Sequence, residues 1–307
     1  MTRQAITLTY ETFQAIWDQH RLGRVESVIQ ASRGINNPTF LINDQYAIRF
    51  DGLGLEGRSR FFGEALAYER LAEHHIPAPR VIAVDVSKRV VPHDYLLMTK
   101  VAGMTIVDSW SSLTRDQREQ VAYEAGHYLA LMHEITFEGY GKLKLPAAER
   151  FPTWYGYVMD YLQRYGAEAV NDGILTNAQG EQLQRIFEAQ RGMFERVQPA
   201  RLIHWDFHFE NVLQENGQVT GILDFEWALC GDPAFDFRLE WQWEQTCPGS
   251  SGALYRGYLA ARALPDDQAL RVRLYSLLGF LDWAVDAQND GERVWARTKL
   301  MEGLAAF

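Results

Sequence analysis

Cysteine is scarce: Cys230 and Cys247 are the only two in 307 residues, too few for a disulfide framework or a four-thiolate metal site. An excess of positive charge is missing as well. Thirty basic side chains stand against forty acidic ones, a net of −10 with neutral histidine. That disfavours a dedicated nucleic-acid binder, which carries a basic face to displace counterions from phosphates. No uninterrupted apolar run approaches the roughly 18 residues that span a bilayer, and Met1 to Tyr10 lack the apolar core and cleavage site of a signal peptide. These absences predict a protein of a reducing compartment, cytoplasmic and without a membrane or nucleic-acid partner. No glycine turn runs into Gly-Lys-Ser/Thr, so the chain has no nucleotide P-loop. What is present is a globular composition, 47% hydrophobic and 23% charged, enough for a real core. At about 150 residues per domain, the length allows one large or two ordinary domains.

Charge divides the chain. Residues 1–100 hold 12 basic and 11 acidic side chains, whereas 101–307 hold 18 and 29, a net of −11. The change predicts a boundary near Lys100. Before it, Val25–Ser32, Thr39–Ile42, Tyr46–Phe50, Val81–Asp85 and Tyr95–Lys100 read as strands. Phe62, Leu66, Ala67 and Leu71 space a helix over Phe61–His74, stopped by Pro77 and Pro79. After it the chain is mostly helical. Helices are expected over Asp116–Glu134, Phe151–Tyr165, Ala178–Phe194, Pro233–Trp243, Gly252–Ala263 and Asp266–Asp286. Three short strands, Arg201–His204, Asn211–Gln214 and Gln218–Asp224, interrupt them.

Polar residues crowd into this interruption: His204-Trp205-Asp206-Phe207-His208-Phe209-Glu210-Asn211, then Asp224-Phe225-Glu226, then Gly231-Asp232-Pro233-Ala234-Phe235-Asp236. Flanked by Ile, Val, Leu and Phe, they lie at the edge of a core, where unpaired burial is expensive. They must satisfy one another or a bound cation, and Asn and Asp oxygens with water and phosphate are how Mg²⁺ is usually held.

His-x-Asp-x-x-x-x-Asn followed thirteen residues later by Asp-Phe-Glu resembles the catalytic loop and metal segment of the aminoglycoside phosphotransferase and choline kinase family, small-molecule relatives of protein kinases. Trp205 replaces the family's common Gly, and Glu210 stands where a small residue is frequent. The resemblance covers about residues 25–240 and implies an α+β, protein-kinase-like two-lobe fold. It divides the chain into a strand-rich nucleotide-binding lobe, 1–100, and a larger helical lobe, 101–307, with the catalytic loop and acceptor site. ATP, with GTP as an alternative, and Mg²⁺ would occupy the cleft. By the same resemblance Asp206 accepts the proton of the acceptor hydroxyl, while Asn211 and Asp224 hold Mg²⁺. Arg49 stands where protein kinases use Lys to pair the phosphates, and keeps the charge on a planar fork. Glu64 is its acid partner, with Glu69 as runner-up. Gly34 and Asn37 belong to the loop over the phosphates. Met98 and Lys100 belong to the hinge whose backbone meets adenine, and Gly103 begins the departure into the second lobe. His204 and Asp236 brace the loop, and His208 is assigned no chemistry.

The acceptor is expected to be a small cationic molecule, an aminoglycoside or other hydroxylated amine, because an acidic lobe steers cations. Trp154, Tyr155, Tyr157, Trp227, Trp241 and Trp243 are candidates for stacking on it. Macrolides, homoserine, choline and methylthioribose are alternative acceptors within the same family. Three other classes remain. His204, Asp206 and His208 at alternate positions would share one strand face and suit a zinc hydrolase. Gly52-x-Gly54-x-x-Gly57 after a strand, with Asp85 ending the next, has the form of a dinucleotide fingerprint. A kinase fold that binds without turnover is the third.

Overall fold

The computed structural model describes residues 8–31, 37–52 and 57–307. Its first part runs α1 (Tyr10–His20), β1 (Val28–Gln30), β2 (Thr39–Ile42), β3 (Tyr46–Phe50), α2 (Phe61–Glu73), β4 (Val81–Asp85) and β5 (Tyr95–Thr99). The five strands form one antiparallel sheet in the order β1-β2-β3-β5-β4. Strand β1 is shorter than the sequence predicts. Helix α1 is an addition, capped by the Thr9 hydroxyl and burying Phe13, Ile16 and Trp17. Each fully buried side chain of that size contributes about 2 kcal/mol.

Period-two alternation splits the sheet between two cores. Ile48, Phe50, Tyr95 and Leu97 face the α1 cluster. Ala47, Leu96 and Met98 join Phe61, Ala65, Tyr68 and Leu71 of α2 in the cluster that fills the rest of the molecule. Arg49 shares the face of Ala47, so the same alternation that builds the cores delivers its guanidinium beneath α2.

The second part begins with β6 (Met104–Thr105), α3 (Ile106–Ser109), α4 (Arg115–Met132), β7 (Thr136–Phe137), β8 (Gly141–Lys142), α5 (Trp154–Asn171), α6 (Asn177–Ala189) and α7 (Arg191–Glu195). It continues through β9 (Ala200–Ile203), β10 (Val212–Glu215), β11 (Gln218–Ile222), β12 (Leu229–Gly231), a 3₁₀ segment (Pro233–Leu239), α8 (Glu240–Thr246), α9 (Ser251–Ala261), α10 (Gln268–Asp286) and α11 (Asp290–Ala305). Two small antiparallel sheets, β11-β10-β6 and β7-β9-β12-β8, carry the polar segments among these helices. Gly103 sits at φ +109°, and a Cβ there would lie 2.4 Å from the Gln214 carbonyl oxygen. The chain therefore needs glycine to cross from β5 to β6 against β10. Among the described residues no helix is long and apolar enough to cross a membrane.

Candidate active site

The loop after β9 is built on one buried carboxylate. Asp236, fully buried, accepts from the backbone N–H of His204 (2.9 Å, Oδ2) and of Trp205 (2.8 Å, Oδ1). His133 Nε2 lies 3.0 Å from Oδ2, and the other ring nitrogen of His133 meets the Tyr258 hydroxyl. The His204 ring supplies a second brace, with Nε2 2.8 Å from the Leu223 carbonyl and the Asp206 N–H 3.3 Å from Nδ1. Burial lowers the His204 pKa, so the neutral ring donates from Nε2 and accepts at Nδ1. Asp236 and His204 thus each bond to the backbone around the loop. With both ring nitrogens used inside the protein, His204 has none for zinc, which removes the metal-hydrolase reading.

The loop carries strain. Trp205 has φ +78°, in the region that costs a bulky residue about 1–3 kcal/mol. Its carbonyl accepts from Arg238, whose guanidinium carbon lies 4.8 Å from the indole centroid, and its ring stacks on Phe235 at 4.8 Å.

Asp206, Asn211 and Asp224 converge. Antiparallel pairing sets Val212 opposite Ile222, and the Leu223 N–H then donates to the Asn211 carbonyl (2.8 Å). Asn211 and Asp224 thus leave neighbouring strands at the same end of the hairpin. Asn211 Nδ2 donates to the Asp206 carbonyl (3.0 Å) and reaches Asp206 Oδ2 (3.4 Å), which turns the amide oxygen elsewhere. His208 Nε2 lies 3.2 Å from the same Oδ2. Burial would raise the Asp206 carboxyl, but the His208 hydrogen bond and the charges of His208 and Arg238 hold it at about 2. Asp206 is therefore an ionised hydrogen-bond acceptor at neutral pH, and His208 is tied to it.

Above this group, Arg49 is wedged between two acids. One guanidinium nitrogen pairs with Glu64 and the other with Asp224 at 2.9 Å. The Tyr68 hydroxyl donates to Glu64 (3.0 Å) and accepts from the Asp224 N–H (3.0 Å). It fixes a residue whose own φ is +68°. Glu69, one position past Tyr68, is exposed, so Glu64 is the partner.

The sequence left Glu226 without a role and passed over Arg60. Glu226 is buried and ion-paired with Arg60 at 2.8 Å, and Asn37 donates to it from 189 residues away. Burial first, then the Asp224 charge, pushes the Glu226 carboxyl up to about 7 against Arg49 and Arg60. Burial also raises Glu64. Three acids (Glu64, Asp224, Glu226) against two guanidiniums leave the cluster short of positive charge. Asn211 and Asp224 supply the hard oxygens that Mg²⁺ takes. Among the described residues no group of three His, Cys, Asp or Glu forms a metal cluster.

The nucleotide-loop expectations fare differently. Gly34 lies outside the described residues, as does Gly54 of the dinucleotide fingerprint. Asn37 is 1% exposed. Its amide is spent on Glu226, with Oδ1 3.4 Å from both Arg60 Nη2 and the Gly52 N–H, so it ties segments together instead of lining a cradle. Met98 packs beside Ala47 in the large core. The Lys100 N–H bonds the Gln45 carbonyl (2.8 Å) and its ammonium pairs with Asp44. Both Lys100 donors thus face the β2–β3 turn. The antiparallel sheet also rules out the dinucleotide fold, which needs parallel strands.

Beside Asp206 opens a cavity of about 180 Å³ walled by Trp205, Trp227, Trp241, Phe280 and Trp283, with Asp282 in its lining. Tyr161 donates to Asp282, and burial pushes that carboxyl up to about 7 against the pull of Arg238. Of the aromatics expected to stack on an acceptor, Trp227 and Trp241 line this cavity. Trp154, Tyr157 and Trp243 are core residues, because their helices face inward there, and Tyr155 stacks under Arg191 at 5.2 Å.

Residues 27–273 match the phosphotransferase enzyme family (APH). Hygromycin-B 4-O-kinase of Escherichia coli is 22% identical over 178 residues, 57% of this chain and 50% of that protein. Homoserine kinase of Gluconobacter oxydans (strain 621H) is 30% identical over 152 residues, 47% of this chain and 45% of that protein. The chain spans about half the length of the curated relatives it matches. Among solved structures, aminoglycoside phosphotransferase APH(4)-Ia is 17% identical with a TM-score of 0.69, covering 97% of this chain and 99% of that one. The streptomycin-ATP-APH(2")-IIa ternary complex is 16% identical with a TM-score of 0.70, covering 97% of each chain. These likenesses show the fold, a protein-kinase-like pair of lobes.

Proposed function

Because the chain belongs to the phosphotransferase enzyme family, we propose that it moves the γ-phosphate of ATP to a hydroxyl of a small acceptor, an aminoglycoside or other hydroxylated amine. The observation that carries this is the convergence of Asp206, Asn211 and Asp224 below the Arg49–Glu64 pair. Asp206 accepts a hydrogen bond from the acceptor hydroxyl, aims its oxygen at the γ-phosphorus and takes the proton late. A largely dissociative transition state asks the protein for positioning and charge more than for a strong base, and a carboxyl held at about 2 fits that demand. Arg49 pairs the phosphates, and Glu64 and Tyr68 fix its direction. Asn211 and Asp224 hold Mg²⁺, which neutralises charge on the phosphate oxygens. His208 keeps the Asp206 carboxylate turned, and Asp236 and His204 keep the loop in shape. The lobes meet near residue 100, where β5 leaves the sheet.

Two features support a cationic acceptor: the acidic balance of residues 101–307 and the aromatic, carboxylate-lined cavity beside Asp206. The hygromycin kinase relative and the antibiotic-bound structural neighbours point the same way. A hydroxy amino acid is the second reading, favoured by the homoserine kinase relative and by Arg238 in that lining. ATP consumption across a panel of amino sugars, aminoglycosides and hydroxy amino acids tests the proposal. Asp206→Ala should abolish turnover and leave ATP affinity nearly intact. Lost affinity with retained rate would refute the assigned roles.

A further inference from the structure

Trp205 occupies a backbone conformation that favours glycine, yet the protein keeps the largest side chain there and surrounds it with restraints. Asp236 holds its N–H, Arg238 its carbonyl, and Phe235 and Tyr161 its ring. None of these contacts touches the phosphate-binding group. The indole instead lines the cavity beside Asp206, together with Trp283 and Asp282. A costly conformation kept at a site points to a use for it.

The cavity is small and its charge is nearly balanced. About 180 Å³ falls below the roughly 300 Å³ at which pockets for drug-sized ligands begin. Its charged lining is Asp206, Asp282 and Arg238, a net of −1 when Asp282 is ionised, which leaves room for one positive charge. Asp282 has Tyr161 as its hydrogen-bond donor, and burial disfavours its charged form, a penalty that a bound cation would relieve. Aromatic walls facing a carboxylate are a setting in which a desolvated ammonium is held.

We propose that Trp205 is the acceptor-selecting residue of this chain. Together with Asp282 of the same lining, it fits one ammonium-bearing ring or short chain and presents that unit's hydroxyl to Asp206. This rests on the phosphotransfer reading and narrows it to the unit that enters the cavity.

Calorimetric titration of the protein loaded with Mg²⁺ and a non-hydrolysable ATP analogue tests it with glucosamine and glucose, which differ in one ammonium. Glucosamine should bind at least about tenfold more tightly. Trp205→Gly and Asp282→Asn should each remove most of that preference, whereas Trp205→Phe keeps it. Nucleotide affinity should stay within about twofold in all three, which a merely loop-bracing tryptophan would not predict. Equal affinity for the two sugars with nucleotide binding retained overturns the selecting role and leaves the phosphotransfer reading standing. Sugar preference without nucleotide binding does the reverse. Hygromycin B binding where glucosamine does not bind also overturns the single-unit box, as does an unchanged preference in Trp205→Gly. If Trp205→Gly fails to fold, Trp205→Phe and Asp282→Asn still decide the matter.

Discussion

Replacing Asp236 by Asn changes one atom and should disable the loop. The carboxylate takes three donors: Trp205 N–H on Oδ1, and His204 N–H and His133 Nε2 on Oδ2. An amide has a single acceptor oxygen, and the two backbone donors lie on opposite sides of the group. With the amide oxygen toward His204, the NH₂ faces the Trp205 N–H. Turned over, it faces the His204 N–H, and the His133 tautomer change that accommodates the NH₂ rescues only the histidine contact. Either way one buried N–H loses a charge-assisted bond and meets a donor, at a cost of about 2–4 kcal/mol. At about 2 °C per kcal/mol for a chain of this size, the melting temperature should fall by about 4–8 °C. The freed N–H belongs to the loop that carries Asp206, and Trp205 is already strained there. The rate constant kcat should therefore drop about 10- to 100-fold while KM for ATP barely moves, since Arg49 on β3 and Glu64 on α2 lie outside the loop. Differential scanning calorimetry and steady-state ATP-coupled assays read both quantities. An Asp236→Asn protein that melts and turns over like wild type would refute the claim that this carboxylate shapes the loop.

Three further outcomes follow from other contacts. Tyr68→Phe removes the hydroxyl that donates to Glu64 and accepts from the Asp224 N–H. It should cost about 2–4 kcal/mol by chemical denaturation and raise KM for ATP more than it lowers kcat. The Asp282 carboxyl sits at about 7 when folded and near 3.9 when unfolded, so the folded state binds more protons between those values. Stability from this group is present at acid pH and declines as pH rises from about 4 through 7. Asp282→Asn should accordingly raise the melting temperature at pH 8 by clearly more than at pH 5, and a gain confined to pH 5 would reverse the assignment. His208→Ala removes the donor that holds the Asp206 carboxyl down. The acid limb of the kcat/KM profile should move to higher pH, and a limb that stays in place would show that His208 does not set the ionisation of Asp206.

The parts of this protein that were legible in the sequence are those whose signal is local. The His204–Asn211 loop and the Asp224–Glu226 segment stood out because polar side chains interrupt apolar runs at short spacing. Arg49 and Glu64 were placed by the family resemblance, on the third strand and on the helix that follows it. Helix α1 carried its own signal, Phe13, Ile16 and Trp17 at helical spacing behind Thr9, which the strand-rich reading passed over. Helix α11 was hidden by its polarity, with Leu300 and Leu304 its main buried positions beside Ala296. Strands β6, β7 and β8 span two residues each, too short for any period to show. The Asn37–Glu226–Arg60 contact joins residues up to 189 apart, and only tertiary packing decides that an asparagine beside a glycine turn faces inward. The same packing, not composition, sorted Trp227 and Trp241 into the cavity and Trp154 and Trp243 into the core.

The division of the sheet between two hydrophobic clusters has a consequence for engineering. The lower face of β3 and β5 and the inner face of α2 are continuous with the interior of the helical half, while the α1 side closes on itself. A chimaera that exchanges the sheet-bearing N-terminal part between relatives would have to match the donor's α2 to the recipient's interior. Swapping α1 alone should be tolerated far more readily.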